Sequence, residues 1–345
     1  MSDGLILGVI MSNEKFSEKM GDAMLDPRNN RIWKGLMWLL VLLLLVDVLL
    51  GWYWSQEPDL RTVTPVPDAV PGETTTRELI FVADTLLSKP GGYLSNDILP
   101  HRLWLDNMPS WEYGALVQVR DFTRVLRRDM SRSQSQSQED RDLAIAEPQF
   151  NFDAKSWTMP ATESEYRRGI SALQRYLDRL TDANENDGKF YARADNLNYW
   201  LNEVQNRLGS LSLKLSQSVG RSQLNVDKDG ALAMAKVDAD EEFVKTPWLK
   251  IDDAFYEARG ATWALAQLMR AAEVDFAEVL RKKNATVSFR QMVRELEATQ
   301  ETVWSPMILN GDGFGMLANH SLVMANYVSR ANAALIDLRK LLVEG

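Results

Sequence analysis

A single run of about twenty apolar residues near the N-terminus constrains this chain more than any other feature. From Gly35 to Val46 every side chain is uncharged, and after Asp47 the apolar run resumes and continues to Trp54. Twenty helical residues at about 1.5 Å each reach roughly 30 Å, the thickness of a bilayer core. We therefore predict that residues 35–54 form a transmembrane helix that binds the lipid bilayer. The aromatic residues at its two ends fit the headgroup regions: Trp33, Trp38, Trp52, Tyr53 and Trp54.

The basic residues predict which side of the membrane each flank occupies. Five precede the run, namely Lys15, Lys19, Arg28, Arg31 and Lys34, whereas the next ones follow at Arg61 and Arg77. By the positive-inside rule the N-terminus stays in the cytoplasm and everything after the run is exported. A cleaved signal peptide is disfavoured because the run is long and lacks a small-residue cleavage site. We predict a cytoplasmic tail over residues 1–31, starting at Met1 or Met11, and a signal anchor over 32–54.

One carboxylate interrupts the apolar run. Asp47 would need protonation, water or a polar partner in hydrocarbon. Two interpretations stay open at this position. The side chain contacts a polar residue of another membrane protein, or it remains hydrated or neutral, two turns from the exported end.

The exported part divides into a connector and a domain. Residues 55–75 contain four prolines among polar residues, which predicts an extended, semi-rigid stalk. The folded domain is then expected over residues 76–345. Within it, a polar segment rich in Ser and Gln near 131–140 is predicted to be a mobile loop or an exposed helical extension.

Most of the domain repeats apolar residues at steps of three and four, as helices in a bundle do. The fold class predicted is all-α, with the transmembrane helix followed by a bundle of six to nine long helices. The small residues of the final helix suggest that it is a central strut. Residues 222–237 either form a short hairpin or link two helices. The same stripes leave a coiled-coil homo-oligomer open as an alternative. The clearest stripe is Leu197, Leu201, Val204, Leu208, Leu211 and Leu215.

Composition excludes several classes of function. The formal net charge of -9 repels nucleic acid, so no nucleic-acid partner is expected. The chain has no cysteine, which excludes disulfides, thiolate metal sites and cysteine nucleophiles. Only two histidines exist, without zinc-ligand spacing, and no phosphate-loop or dinucleotide motif is present. No cofactor is therefore expected.

Three groups of polar residues are the candidate sites. A glycine-rich stretch before the last helix would bring one polar pocket together, and a helix face would offer a surface to an anionic partner. Closely spaced oxygen ligands with a glycine make a candidate calcium loop, for which a plain turn is the alternative. The pocket residues are Asn310, Asp312, Asn319 and His320; the surface residues are Arg120, Arg124, Arg127 and Arg128; the calcium candidates are Asn225, Asp227 and Asp229.

Two stretches carry a family resemblance. They run from Thr246 to Gly260 and from Ser305 to Ala334, and the second includes Asn-Gly-Asp-Gly-Phe-Gly and Asn-His-Ser-Leu-Val-Met. They resemble DUF2333, a proteobacterial family catalogued as a domain of unknown function, and the resemblance spans nearly the whole chain. It implies a Gram-negative inner-membrane protein with a periplasmic domain. It brings no catalytic assignment.

Three functional hypotheses follow. The leading one is a non-catalytic periplasmic scaffold or regulator that binds another protein of the cell envelope. An alternative is an enzyme acting on cell-wall glycan through an acidic residue, for which Glu163, Glu165 and Glu257 are the candidates. The third is a ligand-sensing subunit that signals through a membrane partner, because the cytoplasmic tail is too short for an output domain.

Overall fold

The computed structural model describes residues 27–97, 107–134, 137–182, 187–224, 241–305, 307–311 and 317–344. It contains two compact units, residues 1–54 and residues 55–345. The described part of the first unit is helix α1 (Pro27–Trp54). Within the described residues one helix, Trp33–Trp54, is long and apolar enough to cross a membrane, and few of its side chains are buried. Asp47 is half-buried on this helix.

The second unit is an all-α bundle, as predicted. Its described part holds nine α-helices, which lies within the predicted range. These are α2 (Glu73–Ser88), α3 (Asn107–Val125), α4 (Leu143–Phe150), α5 (Thr162–Thr181), α6 (Ala194–Ser216), α7 (Ile251–Asp275), α8 (Ala277–Lys282), α9 (Thr286–Ala298) and α10 (His320–Glu344). A π-helical turn, Leu126–Met130, continues α3.

The apolar stripes predicted from the sequence are the buried faces of these helices. In α6 the six predicted leucine and valine positions are all buried. In α10 the stripe from Met324 to Leu342 is buried in the same way, while the opposite face is exposed. The spacing identified these helices because each buries only one face, and that face returns every three or four residues.

The centre of the bundle is α7. It buries side chains on every face between Ile251 and Ala272, and it packs against α2, α3, α6, α8, α9 and α10. The prediction that the last helix is the central strut is wrong. Helix α10 packs mainly against α6 and α9.

Helices α3 and α7 cross in backbone contact at two glycines. A Cβ on Gly260 would lie 1.9 Å from the carbonyl oxygen of Trp111, and a Cβ on Gly114 would lie 2.0 Å from the carbonyl oxygen of Glu257. The buried indole rings of Trp111 and Trp263 pack beside the crossing, with centroids 5.0 Å apart. Any side chain at either glycine would push the two helices apart.

A buried ion pair joins the end of α2 to the start of α3. Lys89 Nζ lies 2.7 Å from Glu112 Oε1, and both side chains are almost fully buried. The carboxylate also accepts the backbone N–H groups of Leu94 and Ser95, each at 2.8 Å. Lys89 donates to the Gly92 carbonyl oxygen at 2.6 Å. A pair removed from water is tolerated here because its remaining hydrogen-bonding positions are filled by the surrounding loop.

Two short strands interrupt the helices. Strands β1 (Arg221–Leu224) and β2 (Glu241–Val244) pair antiparallel, and most of the segment 222–237, predicted to be a hairpin or a link between helices, lies outside the described residues. The residues between the strands, including the calcium candidates Asn225, Asp227 and Asp229, lie outside the described part of the chain.

Residues 55–75, predicted to be an extended stalk, begin with a segment that is bound to the bundle. The carbonyl oxygen of Asp59 accepts the indole N–H of Trp263 at 3.3 Å. The carbonyl oxygen of Arg61 accepts the Arg270 guanidinium at 2.9 Å. This first segment therefore lies along α7. We call residues 55–61 the linker.

The side chain of Arg61 fastens the end of the linker to α2. Its guanidinium lies 2.6 Å from a carboxylate oxygen of Glu78 and 3.5 Å from the centre of the Phe81 ring. Burial raises the pKa of Glu78, and the nearby Arg61 charge opposes that rise.

The Ser/Gln segment near 131–140 is described except for residues 135 and 136. The hydroxyl groups of Ser133 and Ser137 lie 3.0 Å apart, and Asp140 pairs with Arg179 at 2.7 Å. The first contact lies within the segment, and the second fixes its C-terminal end to α5. Its mobility stays a prediction.

The glycine crossing generates a stability prediction. Gly260→Ala should lower the free energy of unfolding by about 3 kcal/mol, because the new methyl group meets backbone and not a flexible side chain. Thermal unfolding of the full chain in detergent, followed by circular dichroism, measures the change.

The matched control is Gly209→Ala in α6. A Cβ there has as its nearest neighbour Asn332 Nδ2 at 4.0 Å, so helix propensity should make this variant neutral or more stable by up to about 1 kcal/mol. Equal melting temperatures for the two variants would contradict the crossing described above.

Candidate functional site

Arg259, in the middle of the buried part of α7, donates hydrogen bonds to four other residues. It is buried, and its Nε donates to Glu57 of the linker at 2.5 Å. Its other nitrogens donate to the carbonyl oxygens of Thr299, Gln300 and Glu301 at 2.8–3.3 Å. These carbonyls lie at the C-terminal end of α9, where helical carbonyls lack partners within the helix. One guanidinium thus joins the linker, α7 and α9.

Two clefts open on either side of Arg259. The first, of about 660 Å³, is lined by the linker from Ser55 to Leu60, by Tyr256 and by the chain that follows α9. Its lining is mostly polar. Burial, with the negative charge of Glu57, raises the pKa of the Tyr256 phenol, so this group is a neutral hydrogen-bond donor at physiological pH.

The second cleft, of about 340 Å³, lies between α7, the chain after α9 and the start of α10, and is mostly apolar. Phe255 and Met324 are buried in its floor, and Val323 is 55% exposed at its edge. Trp304 lies on its rim with 92% of its surface exposed. A tryptophan left in water beside an apolar cleft is typical of a surface that binds another apolar group.

Part of the predicted polar pocket closes the end of the second cleft. His320 lines the cleft, and its Nδ1 accepts the backbone N–H of Leu309 at 3.0 Å. This bond places the proton of the neutral ring on Nε2, the nitrogen left for other contacts. The imidazole packs against Phe255, with ring centroids 6.5 Å apart. His320 therefore contributes a polar group to an otherwise apolar cleft.

The two asparagines of the predicted pocket have structural bonds. Asn319 Oδ1 accepts the N–H of Leu322 at 2.9 Å, which caps the start of α10, and its Nδ2 donates to Gly311 O and to Asn310 Oδ1. Asn310 Nδ2 donates to Ser218 O at 2.9 Å. These side chains hold the loop before α10 in place. Asp312, the remaining predicted member, lies outside the described residues.

The predicted arginine surface is largely used within the bundle. Arg120 donates to the carbonyl oxygens of Phe150 and Phe152 at 2.6 and 2.8 Å. The other three guanidiniums lie beside carboxylates: Arg124 beside Asp121 and Glu147, Arg127 beside Glu139 and Glu147, and Arg128 beside Asp129. An anionic partner would have to compete with these acids, so the predicted surface is weaker than the sequence suggested.

The candidate acids for glycan chemistry are likewise engaged. Glu163 accepts from Asn96 Nδ2 at 2.8 Å, Glu165 pairs with Arg168 at 2.8 Å, and Glu257 pairs with Lys214. None of the three lines either cleft beside Arg259. Within the described residues, no group of three or more His, Asp and Glu side chains is placed to hold a metal ion.

Sequence reasoning missed Arg259, Tyr256 and Trp304. Arg259 carried a detectable signal, since it is the one charged residue in the stretch from Ala258 to Met269. Tyr256 and Trp304 carried none, because aromatic residues are usually buried and nothing local marks these two as exposed or cleft-lining.

The fold and the clefts define a class: an all-α protein with one helix apolar enough to cross a membrane and a bundle that carries an open apolar cleft. The chain matches the model of a family described as an uncharacterized protein conserved in bacteria, DUF2333, over residues 27–345. It belongs to that family. No curated protein and no solved structure matches it.

The Arg259 contacts generate a prediction. Arg259→Ala should lower the free energy of unfolding by roughly 3 kcal/mol, because Glu57 and three carbonyl oxygens would lose a buried partner. Hydrogen exchange by mass spectrometry should also show faster exchange in residues 57–61.

The control is Arg290→Ala, which removes an exposed ion pair with Glu273 and should change stability by less than about 1 kcal/mol. Unchanged exchange in the linker of the Arg259 variant would show that this arginine does not hold it.

Proposed function

We propose that this protein is a single-pass protein of the bacterial inner membrane whose helical domain lies in the periplasm and acts as a scaffold or regulator for another envelope protein. The partner would be bound in the apolar cleft between α7, the chain after α9, and α10. The observation that carries the proposal is Trp304, which stands 92% exposed on the rim of that cleft.

The chemistry of the cleft supports binding and not catalysis. Its lining is mostly apolar, and two of its polar groups, His320 and Arg259, are engaged in hydrogen bonds with the bundle. The apolar side chain of a partner, entering the cleft, would cover Trp304 and Val323 and release water from both surfaces. The acids that could serve glycan cleavage are paired elsewhere, which weighs against the enzymatic alternative.

The position of the cleft in the chain supports a membrane-proximal partner. The polar cleft shares Arg259, Glu301 and Thr302 with the apolar cleft, and its lining begins at Ser55, the residue after α1. A protein bound in the apolar cleft would therefore lie close to Ser55, the first residue of the second unit. Asp47 on α1 is a separate candidate for contact with a polar residue of a membrane protein.

The topology can be tested directly. Alkaline phosphatase fused after residue 345 should be active, and green fluorescent protein at the same place should be dark, because the positive-inside rule places the C-terminus outside the cytoplasm. A fluorescent, phosphatase-negative pair of fusions would refute the periplasmic assignment.

The cleft can be tested with a matched pair of variants on one helix. A photo-crosslinking amino acid in place of Trp304 should form one discrete adduct in cells. Val323→Glu should reduce it roughly 30-fold, the equivalent of about 2 kcal/mol, because a carboxylate would enter the apolar contact.

Val343→Glu is the control, because Val343 is similarly exposed, at 67%, near the far end of α10. It should leave the adduct intact. An adduct that survives Val323→Glu would count against the scaffold proposal. So would the release of soluble fragments when the full chain is incubated with purified cell-wall sacculi, and that result would favour the enzyme.

A further inference from the structure

A short turn before α7 exposes two large apolar side chains between two lysines. Trp248 and Leu249 are 70% and 77% exposed, and the turn they form, Trp248–Lys250, buries none of its residues. Lys245 and Lys250 on either side are exposed as well. The N–H of Lys250 donates to Pro247 O at 2.9 Å, which fixes the shape of the turn. The structure thus presents an apolar tip with a positive charge on each flank.

The linker shows which end of α7 lies near the start of the second unit. Its contacts advance along α7: Glu57 meets Arg259, Asp59 meets Trp263, and Arg61 meets Arg270. The chain therefore runs from Ser55, the first residue of that unit, toward the C-terminal end of α7. The N-terminal end of α7 is the end nearest Ser55.

The turn lies at that N-terminal end. Tyr256 lines the same cleft as Ser55, and Lys250 precedes Tyr256 by six helical residues, a rise of about 9 Å. Trp248 and Leu249 are thus exposed apolar residues at the end of α7 that lies near Ser55, where the second unit begins.

The chemistry of the turn fits a lipid surface. Tryptophan prefers the headgroup region, because its ring is apolar and its indole N–H can still donate. Lysines beside an inserted apolar residue attract anionic headgroups, each adding roughly fivefold to binding. A protein partner would need a matching acidic rim, whereas a bilayer that contains anionic lipid supplies both properties over its whole surface.

We propose that the Trp248–Lys250 turn inserts into the interface of the bilayer to which the chain is anchored, with Lys245 and Lys250 on anionic headgroups. This rests on the membrane anchoring proposed above. It gives the domain a second, reversible contact with the membrane, separate from the apolar cleft and its partner.

The absence of cysteine permits a clean test on the full chain. Single substitutions Leu249→Cys, Val343→Cys and Leu43→Cys are spin-labelled and reconstituted into nanodiscs of phosphatidylcholine and phosphatidylglycerol. Val343 is the matched control, since it is exposed to a similar degree at the far end of the bundle. Accessibility to oxygen, which concentrates in lipid, is compared with accessibility to a water-soluble nickel chelate.

The Leu249 label should favour oxygen over nickel by at least about fivefold relative to the Val343 label. Equal nickel accessibility at Leu249 and Val343, with the Leu43 label shielded, would overturn the lipid contact and leave the anchor standing. A nickel-accessible Leu43 label would overturn the anchoring and the lipid contact together. Spin–spin broadening at Leu249 in discs holding two chains would show a second copy on this surface and also overturn the proposal.

The lysines are tested in the same discs. The double variant Lys245→Gln and Lys250→Gln should move the Leu249 label toward water when phosphatidylglycerol is present, and should have no effect in phosphatidylcholine alone. An unchanged label in the charged discs would overturn the headgroup contact. Equal melting temperatures of variant and parent chains confirm that the turn, and not the fold, is being measured.

Discussion

The bundle depends on the contact between the backbones of α3 and α7 at Gly114 and Gly260. Two helices approach this closely only when neither carries a side chain at the crossing. The large rings of Trp111 and Trp263 then fill the space beside it. Because α7 packs against most of the other helices, a displacement at this crossing would be felt throughout the core. The same crossing fixes the position of the N-terminal half of α7 against α3, and Arg259 lies in that half, next to Gly260.

Arg259 joins the core of the bundle to the two clefts on its surface. Its guanidinium satisfies carbonyls at the end of α9 and pairs with Glu57, so one buried charge positions the linker and separates the two clefts. An arginine suits this place because its planar fork can donate in several directions at once. The bonds from Arg259 to Thr299 and Glu301 fix one wall of the apolar cleft. A cleft that is preformed in this way would lose little conformational entropy on binding a ligand.

The sequence predicted what repeats locally and missed what depends on distant partners. The stripes of α6 and α10 recur every three or four residues, so helix and buried face could both be inferred. The four prolines of residues 55–75 predicted a stalk, but the docking of its first part depends on Trp263 and Arg270, some two hundred residues away. The sequence left open whether the arginines after Arg120 meet an anionic partner or pair with local acids, and it could not show that Glu147, from another helix, lies beside Arg127. Of the proposed pocket, His320 does reach a cleft, whereas the asparagines beside it serve the loop.

The docked linker also joins the first residues of the second unit to its core. Glu57 is held by Arg259, so a force applied to the chain at Ser55 would reach α7 and the segment after α9 through this guanidinium. Such a pull would act on both clefts at once, because Arg259 lines both of them.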